Sequence, residues 1–226
     1  MIEVSKVSKK FGDFVALDEI DFQIKPEEFA FIIGPSGAGK TTLIKLILRE
    51  ILPSSGEIKV DGFDLAKLGR SEVVKLRRKV GVVFQDLKLL HDRTVFENVA
   101  MILKIMGRRE TEIKKEVENV LNLVGLAERT DQFPSQLAGG ELQRVCIARA
   151  VVAKPDIVIA DEPTGNLDPA TAWQIVELLQ EIHRLGKTVV MATHNFEIVN
   201  SLNERVIELG KGKVVSDEKK GKYRVK

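Results

Sequence analysis

The stretch "FAFIIGPSGAGKTTLIKLIL", Phe29 to Leu48, restricts the possible fold more than any other part of the chain. Phe29 to Ile33 read as a buried strand and Thr41 to Leu48 as an apolar helix. Between them "GPSGAGKT" has the spacing G-x-x-x-x-G-K-[ST], with Gly34, Gly39, Lys40 and Thr41 at the defined positions. Glycines let backbone N–H groups curl around a phosphate, the lysine supplies a cation and the hydroxyl reaches Mg²⁺. A glycine turn without a ligand is the alternative, and its position between strand and helix argues against it. A strand feeding a helix through such a loop belongs to α/β folds with a parallel central sheet.

Strand character returns at "DIVIADEP" and "KTVVMATH", continuous apolar runs of the kind buried on both faces of a parallel sheet. A carboxylate at the C-terminal end of such a strand emerges at the usual ligand crevice. Asp161 is placed there to hold a metal ion, and Glu162, one residue on, to polarise a water for attack on a phosphate. Adjacent carboxylates before Pro163 could instead cap a turn. Gln85, after "VGVVF", and His194, after "TVVMAT", end strands on the same side. Gln85 can reach metal or water, and His194 can touch a γ-phosphate.

A second pair of glycines complicates this picture. In "QLAGGELQRV", Gly139 and Gly140 stand directly before an expected helix, which also suits an anion. One nucleotide needs only one phosphate loop, so this element asks for another explanation.

The remaining segments bound the answer. From Val95 to Leu126 the positions Ile113, Val117, Val120, Leu121 and Val124 recur at helical spacing, as one packed face of a mostly helical insert. Ile2 to Ile33 read as short strands, "ATAWQIVELLQEIHRLG" as a helix ending at Gly186, and the lysine-rich end as a hairpin plus a solvated tail. A net charge of +2 from 35 basic and 33 acidic residues gives no argument for nucleic acid. Cys146, in an apolar stretch, reads as a core thiol, and a single cysteine excludes an internal disulfide. "MIEVSKVSKK" is not a signal peptide, and apolar runs such as "FAFII" fall far short of the roughly 18 residues of a membrane span. Work at a membrane would require another chain as anchor.

Taken together, the phosphate loop, the Gln85 segment, "LAGGE", "IVIADEP", "NLD" at Asn166 to Asp168 and His194 resemble the nucleotide-binding domain of an ABC ATPase over essentially the whole length. The resemblance implies a P-loop NTPase of ABC type. Its single domain, 1–226, has a mostly parallel sheet, an N-terminal antiparallel β portion and a helical subdomain at about 87–150. ATP and Mg²⁺ are the expected ligands. Gly34, Pro35, Ser36, Gly37, Ala38, Gly39, Lys40, Thr41 and Thr42 would bind the nucleotide, and Thr41, Gln85 and Asp161 the metal. Glu162, His194 and Gln85 would serve catalysis. Phe11 in "KKFGDFVAL" matches the aromatic that stacks on adenine, a core position in the first strands being the alternative.

The resemblance also accounts for the second glycine pair. In this family two domains form a head-to-tail dimer in the ATP-bound state, so Leu137, Ala138, Gly139, Gly140 and Glu141 would face the ATP held by the other copy. Asn166, Leu167 and Asp168 would form the neighbouring D-loop. Ala138 stands where the family has Ser, and Glu141 where it has Gln. The segment "FQDLKLLHDRTVFENVA" further resembles the family's cell-division members, with His91 in place of Pro and Leu142 in place of Gln. That implies an integral membrane partner, a place on the cytoplasmic face of the membrane enriched at the division site, and control of septal cell-wall hydrolysis. A groove near Leu87–Leu90 and Val95–Met101 would receive a short helix of the partner. Lipoprotein-release and macrolide-export ATPases are the rivals of the same chemistry. DNA-repair ATPases of ABC type carry a coiled coil or zinc module, for which neither heptads nor paired cysteines are present. A P-loop kinase leaves "LAGGELQR" unexplained.

Overall fold

The computed structural model describes residues 1–222. Among these residues two sheets and seven α-helices form, with an antiparallel sheet at the start of the chain and a mostly parallel one behind it. In the first, β1 (Ile2–Phe11) pairs with β2 (Phe14–Ile24) and with β4 (Ser55–Val60), and β5 (Phe63–Asp64) closes the edge. β1 and β2 are longer than the short strands expected from the sequence. Register shifts along their pairing bend the hairpin, and Lys6 and Glu19 take up left-handed backbone conformations there.

The second sheet has the order β10-β9-β3-β8-β7-β6. β3 (Phe29–Ile33), β6 (Val80–Val83), β7 (Ile157–Asp161), β8 (Thr188–Ala192) and β9 (Arg205–Gly210) run parallel, and β10 (Lys213–Glu218) turns back along β9. The central strands β3, β7 and β8 are apolar apart from the terminal Asp161 and Thr188, because both faces are covered. Alternation divides them: Phe29, Phe31 and Ile33 join one core, while Ala30 and Ile32 join the other.

The first core lies under the helical side. α3 (Val95–Ile105), α4 (Glu110–Leu123), α5 (Gly139–Val151) and α6 (Pro169–Arg184) pack there. The periodic residues of the expected insert, Ile113, Val117, Val120, Leu121 and Val124, are all buried in it. Two helices, separated at Gly107, carry this mostly helical segment. The second core joins α1 (Lys40–Ile47) and α2 (Arg70–Lys79) to the antiparallel sheet. Cys146 is buried, its thiol donating to Leu87 O at 3.2 Å, and burial pushes its pKa up to about 11. It is a core thiol, as its sequence setting indicates. α7 (Phe196–Leu202) leads into β9, and the hairpin expected near the C-terminus is β9–β10. The end of the expected solvated tail, residues 223–226, lies outside the described residues.

Candidate active site

Four neighbouring strands deliver side chains to one edge. Ile32 of β3 lies beside Ala192 of β8, Ala192 beside Asp161 of β7, and Val83 of β6 beside Ala160 of β7. Gly34, Asp161, Glu162, His194 and Gln85 therefore leave the sheet at the same C-terminal edge, each within two residues of a paired position. The backbone ties this edge together: Glu162 N donates to Ala192 O at 2.9 Å, and Thr193 N donates to Ile32 O at 3.1 Å.

The phosphate loop curls from β3 into α1. Gly39 has φ 107°, and a Cβ there would lie 2.6 Å from Leu17 Cδ2 and 2.9 Å from Ala16 O of β2. Only glycine fits that close approach, which presses the loop against the β1–β2 hairpin. Pro35, Ser36, Gly37 and Thr41 are exposed, Thr42 is half-buried and Ala38 is buried. Lys40 is buried, its Nζ donating to Gly34 O at 2.7 Å and to Pro35 O at 3.2 Å. The same ammonium is 3.8 Å from Glu162 Oε1.

Glu162 adopts φ 47°, a left-handed conformation uncommon for a glutamate and of the kind that gathers at functional sites. Its carboxylate is almost fully shielded. His194 Nδ1 lies 2.9 Å from Glu162 Oε1, and because a carboxylate only accepts, Nδ1 carries the proton of this contact. The His194 ring is otherwise exposed.

Asp161 differs. It is buried, and its Oδ1 has no hydrogen-bond partner. Burial raises its pKa, while the neighbouring Thr41 hydroxyl acts in the opposite direction. A shielded carboxylate with an unsatisfied oxygen, beside a hydroxyl and a phosphate loop, fits Mg²⁺. That ion is held by one or two carboxylates together with substrate phosphates rather than by an all-protein cage. Among the described residues, no group of three or more His, Cys, Asp or Glu forms such a cage. Gln85 is exposed just beyond β6.

Phe11 lies at the tip of the same hairpin that touches Gly39, paired with Phe14. At 48% exposure it is no core aromatic, and Lys9 Nζ lies 4.9 Å from its ring centroid. Its ring is accessible for stacking.

The "LAGGE" element is not part of this cluster of contacts. It forms the N-terminus of α5, where Ala138 and Gly139 are exposed and Leu137, Gly140 and Glu141 half-buried. Ala138 offers no oxygen to cap the helix. Glu141 instead accepts from Ala138 N at 2.9 Å and pairs with Arg129 Nε at 3.0 Å. A Cβ on Gly140 would strike the Thr171 side chain of α6, so glycine permits the two helices to meet here. Leu167 lies next to Gly139, and Asp168 caps α6 by accepting from Thr171 N at 3.1 Å. "LAGGE" and "NLD", distant in sequence, thus adjoin within one chain.

Arg149 and Asn98, assigned no role from the sequence, hold the segment after Gln85 together with Cys146. Arg149 donates to Lys88 O and Leu87 O at 2.6 and 2.8 Å, and Cys146 joins it at Leu87. Fully buried Asn98 accepts from Leu90 N and donates to Leu90 O, Arg93 O and Thr94 O. The available signal was an asparagine in the apolar run of α3, where only a fully bonded amide is tolerated. Beside this segment lies an open groove of about 800 Å³, lined by apolar residues of α2, β6 and the second half of α3. Leu89, Val95, Val99 and Ala100 are buried and unavailable to it. The opening is therefore shifted from 95–101 toward Met101, Ile105 and Met106.

A phosphate loop after β3, paired carboxylates at the end of β7 and an exposed glycine-tipped helix define a nucleotide-hydrolysing cassette. Residues 17–165 match the family described as ABC transporter, and the chain belongs to that family. Curated relatives match along their whole length. The cell division ATP-binding protein FtsE of Bacillus subtilis is 53% identical over 224 residues, covering 99% of this chain and 98% of that protein. The protein of the same name from Mycobacterium tuberculosis is 47% identical over 99% of this chain and 98% of its own length. Among solved structures, a dimeric bacterial ABC transporter cassette superimposes with a TM-score of 0.88 at 37% identity, covering 99% of this chain and all of that one. An ATP-binding cassette dimer in a post-hydrolysis state, bound to ADP and Pi, matches equally well at 36% identity.

Proposed function

We propose that the chain is the ATP-binding and hydrolysing subunit of a cell-division ABC complex. It works as an ATP-driven homodimer beneath an integral membrane partner resembling FtsX and transmits motion that regulates septal cell-wall hydrolysis. The convergence of Lys40, Asp161, Glu162 and His194 on one strand edge carries the chemical half of this reading. Full-length similarity to FtsE proteins supports the biological half, over lipoprotein release or macrolide export.

In this reading the residues from Gly34 to Thr42 wrap the phosphates, with Lys40 turning its ammonium from the loop carbonyls to the β- and γ-phosphates. Phe11 stacks on the adenine. Thr41, Asp161 and Gln85 hold Mg²⁺, which when bound neutralises charge developing on the transferred phosphoryl group. Glu162 accepts the proton of the attacking water, and His194 holds that carboxylate and orients it toward the γ-phosphate. Leu137 to Glu141 of the other copy close over the same phosphate, with Asn166 to Asp168 at the seam. The whole is one domain, 1–226, with the helical subdomain at about 87–150.

Among the described residues no helix is long and apolar enough to cross a membrane, so attachment falls to the partner. The groove between α2, β6 and α3 is the place for a short cytosolic helix of that partner. Ile105 and Val74, 73% and 51% exposed, are apolar side chains there that a monomer has no reason to leave bare. The protein is expected to sit on the cytoplasmic face, enriched at division sites. The test is purification from membranes with identification of what accompanies it. An FtsX-like membrane protein should co-purify, and Ile105→Glu with Val74→Glu should release it while MgATP binding persists. Retention by the doubly substituted protein would remove the groove from the reading. Recovery without any integral membrane protein would overturn the complex.

A further inference from the structure

The groove has a second property that its apolar lining does not explain. Arg77, Arg78, Lys88 and Arg149 also line it, against one carboxylate, Glu50. Basic residues beside the groove differ in this respect: Lys79, on the same helix as Arg77 and Arg78, pairs with Asp61 at 2.5 Å and with Asp156 at 3.4 Å. Lys154 pairs with Glu116 and Lys104 with Glu110. Arg77 and Arg78 have no ion pair among the described residues. Lys88 Nζ lies 3.7 Å from the Phe84 ring centroid, held by an aromatic face rather than a carboxylate. Arg149 donates to Leu87 O and Lys88 O, neutral carbonyls, and makes no ion pair among the described residues.

We infer that the segment docking here is a short amphipathic helix that carries carboxylates along the flanks of its apolar face. This rests on the proposed docking role of the groove and specifies the chemistry of its occupant. Apolar side chains of that helix would cover Val74 and Ile105, while its flanking Asp or Glu would meet Arg77, Arg78 and Lys88. A basic helix would bring like charges to a cationic rim, and a neutral one would leave the cations without partners. Such rim charges act chiefly on partner choice and association rate.

The measurement uses the full-length protein with three synthetic peptides, each stapled as a helix with leucines at i, i+3, i+4 and i+7. They differ only in their flanking positions, which are Glu, Gln or Lys. Fluorescence anisotropy should show the Glu peptide binding about tenfold more tightly than the Gln peptide, because exposed ion pairs contribute little singly and must act together. The Lys peptide should bind most weakly. The advantage of the Glu peptide should shrink at high salt, as screening shortens the reach of the rim charges. In Arg77→Glu/Arg78→Glu the order should reverse, with circular dichroism and MgATP binding unchanged because both arginines are exposed and outside the nucleotide site. Equal binding of all three peptides would overturn the acidic character and leave the docking role standing. If none bound, both readings would fall.

Discussion

The strand edge that carries Asp161 and the tip of α5 are both built to meet phosphate, and they differ in how complete they are. At the strand edge, Lys40 is bonded to its own loop and Glu162 to His194, so much of the machinery finds partners within the chain. At the tip of α5, the N–H groups of Gly139 and Gly140 have no acceptor among the described residues, and the side chain that precedes them is a methyl group. A site furnished with internal partners can bind its ligand within one chain. A bare helix terminus beside an exposed surface needs something brought to it, and the proposed homodimer brings the ATP of the second copy.

The sharpest way to separate the two regions is to disable chemistry at the first without touching the second. Glu162→Gln should still bind MgATP but hydrolyse it 10²–10⁴-fold more slowly, the usual cost of losing a general base. Single-turnover hydrolysis is the measurement. A rate within a few-fold of the parent would assign the proton to another group. Because this variant accumulates the ATP state, it is also the background in which the α5 tip is best tested.

Ala138→Ser in the Glu162→Gln background should strengthen ATP-driven dimerisation by roughly tenfold or more. A hydrogen bond to a charged group contributes about 1.5–3 kcal/mol, less what water already supplies. ADP lacks the γ-phosphate and should show no gain in sedimentation. A gain with both nucleotides would mean that serine merely caps α5, and no gain with ATP would detach Ala138 from the phosphate.

A smaller effect is expected one turn into the same helix. In the proposed dimer Glu141 would put a negative charge where the phosphate of the other copy approaches, and Arg129, 3.0 Å away, would offset it. Arg129→Ala should weaken ATP-driven dimerisation roughly three- to fivefold at low salt, within the range of partly exposed charge pairs. Adding Glu141→Gln should restore it, since no charge then needs offsetting. The double-mutant cycle reads the coupling directly. A double variant as weak as Arg129→Ala would make the arginine structural and leave the tip indifferent to charge.

The two regions were also unequally legible in the sequence. Phe29–Ile33, Ile157–Asp161 and Thr188–Ala192 could be read as strands because a doubly covered parallel sheet leaves them apolar except at their ends, Asp161 and Thr188. Their common edge followed, since a residue after a parallel strand can leave only one end of the sheet. α2 was not legible: Leu76 is its one buried residue, and arginines and lysines dominate the rest. The left-handed positions Lys6 and Glu19 gave no warning of a bulged hairpin, because neither residue type prefers that conformation. The contact of Gly140 with Thr171 joins residues 31 positions apart, a relation that local pattern cannot express. The groove was displaced for a related reason. Periodicity marks the face of α3 that is buried, and Ile105 belongs to its exposed end.

Asp161 is the strand-edge residue with an unsatisfied buried oxygen among the described residues. Asp161 keeps an unbonded oxygen in a buried position, and its surroundings raise its pKa, chiefly through burial. A shielded charge of this kind costs stability in the nucleotide-free chain, and a ligand that supplies positive charge removes the cost. Asp161→Asn keeps the shape and removes the charge. In the presence of EDTA it should melt at or above the parent temperature, about 2–4 °C higher for each ~1 kcal/mol relieved in a chain of this size. Adding MgATP should raise the melting temperature of the parent well above that of the nucleotide-free protein and leave the variant nearly unmoved. Thermal scans of both proteins, with EDTA and with MgATP, give the four values needed. A variant that melts lower than the parent in EDTA would show that the carboxylate holds the crevice together and is not waiting for a cation. The strand edge would then be complete without its ligand, and its contrast with the tip of α5 would be wider still.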